Sequence, residues 1–259
     1  MVIRNKAIVK IANPVVIIGL AIFLSSCARA PLRPPAYPTH EAYPQIPSTA
    51  LRHDIYHVVG PGETIWRISK MYDVTMQDVA RANNLKDPKV LKMGQSLLIP
   101  EAAPVRPVIP LYRSKKWKYI IIHHSATDEG NALAFNTAHS QRGFAGLGYD
   151  FVINNGTNGK EDGHIEASPR WLKQQDGAHC KAAGMNHKSI GICLVGNFNK
   201  EKVSEKQMQA LVYLTDTLKK YYKIPLKNIM GHGQVPGAKT ECPGKDFPWK
   251  EFWSRLKKK

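Results

Sequence analysis

The chain is 259 residues long, room for one ordinary domain and a second small one. Lysine and arginine exceed aspartate and glutamate by 17; residues 1–26 hold Arg4, Lys6 and Lys10 and no acid, so the remainder keeps +14. Such a balance favours a polyanionic neighbour (nucleic acid, anionic lipid or an acidic wall polymer) and by itself excludes none of the three.

The leader narrows that choice. Its basic residues precede an apolar stretch from Ile11 to Leu24, too short to span a bilayer comfortably and proportioned like a signal-peptide core. The stretch ends in Leu24-Ser25-Ser26-Cys27, which resembles the lipobox of bacterial lipoproteins. The resemblance implies removal of residues 1–26 and lipidation of Cys27; the rival is a plain signal peptide ending near a cysteine. Ala28 follows, not aspartate, which in a bacterium with two membranes implies the outer one, facing the periplasm. An exported chain without a basic-aromatic nucleic-acid motif is not expected to bind nucleic acid. A membrane contact through the lipid is.

Residues 27–54 are rich in proline, with Pro31, Pro34, Pro35, Pro38, Pro44 and Pro47, and read as a tether without a core of its own. Residues 55–101 form a compact β-α-α-β pattern. His57-Val58-Val59 predicts a strand and Gly60-Pro61-Gly62 a turn. Thr64 caps a helix carrying Ile65, Trp66 and Ile68, and Thr75 with Asp78 opens a second helix that Asn83-Asn84 closes. Ser96 to Ile99 is a strand ended by Pro100. The order HVVGPGETIWRISKMYDV…VARANNL…LKMGQSLLIP resembles the lysin motif (LysM) along its whole length. That resemblance implies binding to N-acetylglucosamine-containing glycans of peptidoglycan through Gly62, Glu63 and Thr64 and through the loop before the second strand. Trp66 reads as core.

Residues 102–115 are a second proline-punctuated linker, and residues 116–259 make the large domain. Lys118 to His123 predicts a buried strand and Asn131 to Arg142 a helix; Tyr149, Phe151 and Ile153 alternate as a strand. Ser189 to Val195 is another strand. Ser204 and Gln207 cap a long helix with Met208, Leu211, Leu214, Leu218 and Tyr222 on one face. Trp249 to Leu256 closes the chain as a helix. The mixture implies an α/β domain, a central mixed sheet with flanking helices.

The chemistry concentrates in Ile229 to Gly244, IMGHGQVPGAKTECPG, where His232 and Cys242 lie ten residues apart with Lys239 and Thr240 between them. With His123 they offer two imidazoles and a thiolate, a ligand set that suits Zn²⁺ and leaves a fourth position open. Spacing alone does not establish the set. Export permits disulfides, so Cys180 and Cys193 either bridge or remain two buried thiols. Of the other histidines, His124 is expected on the opposite strand face, His139 packed on a helix, and His164 and His187 at the surface.

Four segments in order, YIIIHHSAT, GLGYDFVI, GAHC…NHKSIGICLVGN and GH…KTECPG, resemble the zinc N-acetylmuramoyl-L-alanine amidases, a family shared by phage-type amidase lysozymes and peptidoglycan recognition proteins. The resemblance spans about residues 116 to 256. It implies zinc held by His123, His232 and Cys242, catalytic roles for Tyr149 and Thr240, and a substrate-groove position for His179. The interval between His232 and Cys242 is a little longer than in recognition proteins, which leaves Lys239 as the alternative to Thr240. Cys193 stands where carboxylate-assisted relatives carry glutamate. The expected activity is cleavage of the amide between N-acetylmuramic acid and L-alanine; nothing offers the carboxylate pair of a glycosidase. The alternative is a peptidoglycan-binding protein without activity, against which Cys242 argues.

Overall fold

A computed structural model describes residues 38–258. The expected signal peptide, Cys27 and the first part of the tether lie outside the described residues.

A short strand β1 (His40–Ala42) comes first. The small unit follows as β2 (His53–Val58), α1 (Ile65–Tyr72), α2 (Met76–Ala82) and β3 (Ser96–Ala102), with β2 and β3 antiparallel. Both expected caps form: Thr64 accepts the Arg67 N–H and Thr75 the Asp78 N–H. Ile65, Ile68, Met71 and Tyr72 share one face of α1 and close a core with Val79, Leu97 and Ile99. Trp66 is not in that core. It follows Ile65 by one position, about 100° around the helix, and stays 37% exposed.

The expected linker is buried structure. Val108, Tyr112 and all of β4 (Ile109–Leu111) are enclosed, and β4 pairs antiparallel with β1. Proline suits a two-stranded edge because it needs no partner for an N–H. The Pro110 carbonyl accepts the indole N–H of buried Trp171 at 2.7 Å. The C-terminal part of the expected tether is therefore part of the fold.

The large unit contains β5 (Tyr119–His124), α3 (Ala132–Gln141), β6 (Phe151–Asn155), β7 (Asp162–Ala167), α4 (Pro169–Leu172), β8 (Ser189–Leu194), α5 (Glu205–Tyr222), β9 (Ile229–Gly231) and α6 (Trp249–Lys257). Its sheet runs β7-β6-β8-β5-β9, parallel throughout except between β6 and β7, so the expected central mixed sheet with flanking helices is present. Strands covered on both faces read as continuous apolar runs, as Ile120 to Ile122 does. Ser204 and Gln207 form the capping box of α5, whose Met208, Leu211, Leu214 and Leu218 are buried in the main core. Truncating one of them, Leu214→Ala for example, removes about 2–5 kcal/mol of stability.

The strand β7, reading DGHIEA, gives no apolar signal because its polar groups are covered by the small unit. Lys160 Nζ donates to the Val58 carbonyl at 3.0 Å and lies 3.6 Å from Glu166 Oε1. Arg67 donates to the Val108 carbonyl at 3.0 Å, and Gly62 lies against Leu172. His164 is buried here and not at the surface, and that burial pushes its imidazole down to about 3.

Candidate metal centre

The carboxyl ends of parallel strands are where α/β sheets place their sites. β5 delivers His123 there, and the adjacent β9 ends at Gly231 so that the next residue is His232. The loop carrying Cys242 is held to that turn, since Gly233 N–H donates to the Cys242 carbonyl at 2.7 Å. A Cβ on Gly233 would fall 2.4 Å from the Thr240 carbonyl, so only glycine permits this approach. One ligand atom each from His123, His232 and Cys242 then lies within 4.8 Å of the others.

The electrostatics suit a cation. Burial, followed by the neighbouring histidines, holds the His123 imidazole well below its ordinary pKa, and burial lowers that of His232. Both rings are therefore neutral, the form that ligates. Burial pushes the Cys242 thiol up to about 12, so a divalent cation binds by displacing its proton. The His124 N–H, 3.4 Å from Cys242 Sγ, is positioned to stabilise the thiolate that results. Two neutral imidazoles and one such thiol fit Zn²⁺ with a position left for substrate or water.

Tyr149 stands beside these groups, half-buried, its ring centroid 5.2 Å from that of His123. The Cys193 thiol first, and burial second, keep its phenol well above the ordinary value, so it remains a neutral donor. Thr240 is exposed on the ligand loop and its Oγ1 accepts the Cys242 N–H at 3.2 Å, while Lys239 is exposed beside it. Cys193 sits opposite His123 in the register of β5 and β8, and no carboxylate replaces it. Cys180, Cys193 and Cys242 are free thiols, so the first two do not bridge.

Of the four expected substrate contacts, His179 and Glu63 are enclosed, whereas Gly62 and Thr64 are exposed. The His179 side chain has no exposed surface and hydrogen-bonds His123, at 3.0 Å between Nδ1 and Nε2; it is enclosed behind a ligand instead of lining a groove. Glu63 accepts from His57 Nε2 at 2.8 Å and from the Gly60 N–H at 2.6 Å. Burial alone would raise its pKa, but the His57 contact and the Lys160 charge hold it well below the carboxylate range. Thr64 is occupied as a helix cap and Gly62 faces Leu172. Both keep exposed surface, while Glu63 is enclosed where the small unit meets the large one. Asp150, fully buried behind His179, had no signal in the sequence beyond its place after Tyr149.

Residues 113–245, half the chain, match the family model described as N-acetylmuramoyl-L-alanine amidase. The chain belongs to this amidase family. Residues 57–100 match the LysM domain, and β2 to β3 are its elements. The amidase domain is 31% identical to Peptidoglycan-recognition protein SC2 of Drosophila melanogaster over 151 residues, 54% of this chain and 75% of that one. It is also 31% identical over 144 residues to the endolysin of Escherichia phage T7, covering 52% of this chain and 85% of the phage protein. Among solved structures it is similar to the N-acetylmuramoyl-L-alanine amidase LysC from Clostridium intestinale, at 32% identity and a TM-score of 0.46 over 56% of this chain and 89% of that one.

Proposed function

We propose that the chain is a zinc-dependent peptidoglycan hydrolase that cleaves the amide between N-acetylmuramic acid and L-alanine of the stem peptide. The observation that carries the reading is the convergence of His123, His232 and Cys242 within 4.8 Å beside the Tyr149 phenol. A relative confined to binding has no need of the thiol in that set. Zinc, when bound, supplies Lewis acidity that polarises a carbonyl and lowers the pKa of water to about 7. The neutral phenol of Tyr149 donates a hydrogen bond to the oxyanion that develops on the amide, and the exposed Thr240 hydroxyl is free to donate from the rim. One of these groups, or water, returns a proton to the leaving amine.

The Leu24-Ser25-Ser26-Cys27 sequence supports a lipid on Cys27, with the protein exported and held at the cell envelope, at the outer membrane on the reading of Ala28. The excess of positive charge suits an acidic wall polymer. Purified sacculi digested by the chain should release stem peptides with a free L-alanine amine, detected by mass spectrometry, and a chelator should stop the release. Reducing sugar ends in the digest would identify a glycosidase and overturn the assignment.

A further inference from the structure

Three buried side chains line up behind one metal ligand. His123 turns Nδ1 toward Cys242 Sγ, 3.6 Å away, and Nε2 toward His179 Nδ1, 3.0 Å away. His179 Nε2 lies 3.7 Å from Asp150 Oδ2, and neither of those two side chains has any exposed surface. Asp150 Oδ2 accepts the Gly191 N–H at 2.7 Å. Among the described residues, Asp150 Oδ1 and His179 Nε2 are buried atoms without a hydrogen-bond partner. An unpaired buried polar atom costs about 1–3 kcal/mol, so a chain that folds around these two has a use for them.

The ring of His179 is also built into place. A Cβ on Gly177 would fall 2.4 Å from its Cδ2, and one on Gly191 would fall 2.5 Å from the same atom. The imidazole therefore occupies a slot that exists only because both positions are glycine. Asn186 Oδ1 accepts the backbone N–H groups of His179 and Cys180 at 2.9 and 2.7 Å, which fixes the segment beneath the ring.

We propose that His179 is a positioning residue for the ligand His123, anchored in turn by Asp150. The Asp150 carboxyl, 3.7 Å from Nε2, bounds the far edge of the His179 ring; His179 Nδ1 accepts the Nε2–H of His123, and His123 Nδ1 is left as a lone pair aimed at the cation. Partners of this kind set the tautomer and angle of a ligating imidazole, and their loss typically lowers metal affinity by about 10–100-fold. The inference rests on the zinc site proposed above.

The test is zinc affinity of the full-length chain by chelator competition, with the absorption spectrum of the cobalt-loaded protein as a second readout. Wild type and Cys242→Ala come first. If they bind zinc alike, the site itself is wrongly assigned and this inference falls with it. If only wild type binds tightly, His179→Ala should weaken zinc by about 10–100-fold and shift the cobalt bands. His179→Asn places a carbonyl oxygen where Nδ1 stood and should stay close to wild type. Asp150→Asn should weaken zinc in the wild-type background and have no further effect in His179→Asn, because its action passes through His179. A wild-type affinity and cobalt spectrum for His179→Ala would overturn the positioning role. So would an Asp150→Asn effect of equal size in both backgrounds, a result readable even where His179→Ala does not fold.

Discussion

Lys160 donates its ammonium to the Val58 carbonyl across 3.0 Å, and that bond joins the amidase domain to the LysM domain. Its other neighbour, Glu166, reaches back into the amidase domain. Glu166 Oε2 accepts the N–H of Ala132, the first residue of α3, at 2.8 Å and the Asn154 amide at 3.0 Å. Helix α3 in turn carries His139, whose ring centroid is 5.6 Å from that of Tyr149. The docking surface and the Tyr149 side of the candidate metal centre are therefore connected through one short helix.

Breaking a buried ion pair by removing one partner leaves the other charge stranded. Lys160→Met should accordingly destabilise the chain by about 3–5 kcal/mol in urea unfolding, and adding Glu166→Gln should restore much of it. A loss below about 1 kcal/mol for Lys160→Met would place the pair in the same class as an exposed one.

Deleting residues 57–100 would uncover Lys160, His164, Glu166 and Leu172 together. The deletion should lower the melting temperature and reduce turnover on a small soluble muropeptide as well as on sacculi. A loss confined to sacculi would mean that the LysM domain acts only by raising local concentration, as a separately tethered module does.

The docking surface should also be sensitive to acid. Burial first, and Lys160 second, push His164 from 6.5 to about 3. Between those values the unfolded chain binds a proton that the folded chain refuses, so stability rises with pH through this window. It is complete above 6.5 and is lost as pH falls toward 3, by at most about 1.4 kcal/mol per pH unit for one proton. His164→Gln should flatten the unfolding free energy against pH by that slope in metal-free protein. An unchanged slope would show that His164 is protonated in the folded chain.

Tyr149→Phe removes the phenol donor while leaving the ring. Turnover should fall by about 10²-fold or more with zinc content unchanged, whereas Thr240→Val should cost less. A near-normal rate for Tyr149→Phe removes the tyrosine from the mechanism.

Much of this was legible because local signals and tertiary packing agree. The caps at Thr64, Thr75 and Ser204, the apolar run before His123 and the glycine-rich turn around His232 each carry their own explanation within a few residues. What was not legible depends on which surface covers which. The Ala102 to Pro110 segment has a linker's composition, yet β4 is buried because β1 returns to pair with it. His164 and Glu63 read as surface and ligand-facing residues because nothing local announces that two domains meet there. His179 was recognisable as a site residue by resemblance, but only the slot between Gly177 and Gly191 shows that it faces His123.

On the proposed function, Cys242 completes a zinc site that cuts the muramoyl-alanine amide. The most direct measurement is release of stem peptides with a free L-alanine amine from purified sacculi, together with zinc per chain, for wild type and Cys242→Ala. Wild type should carry zinc and release peptide, and the variant should lose both while sacculus binding persists. A Cys242→Ala chain that retains full zinc and full peptide release would contradict that assignment.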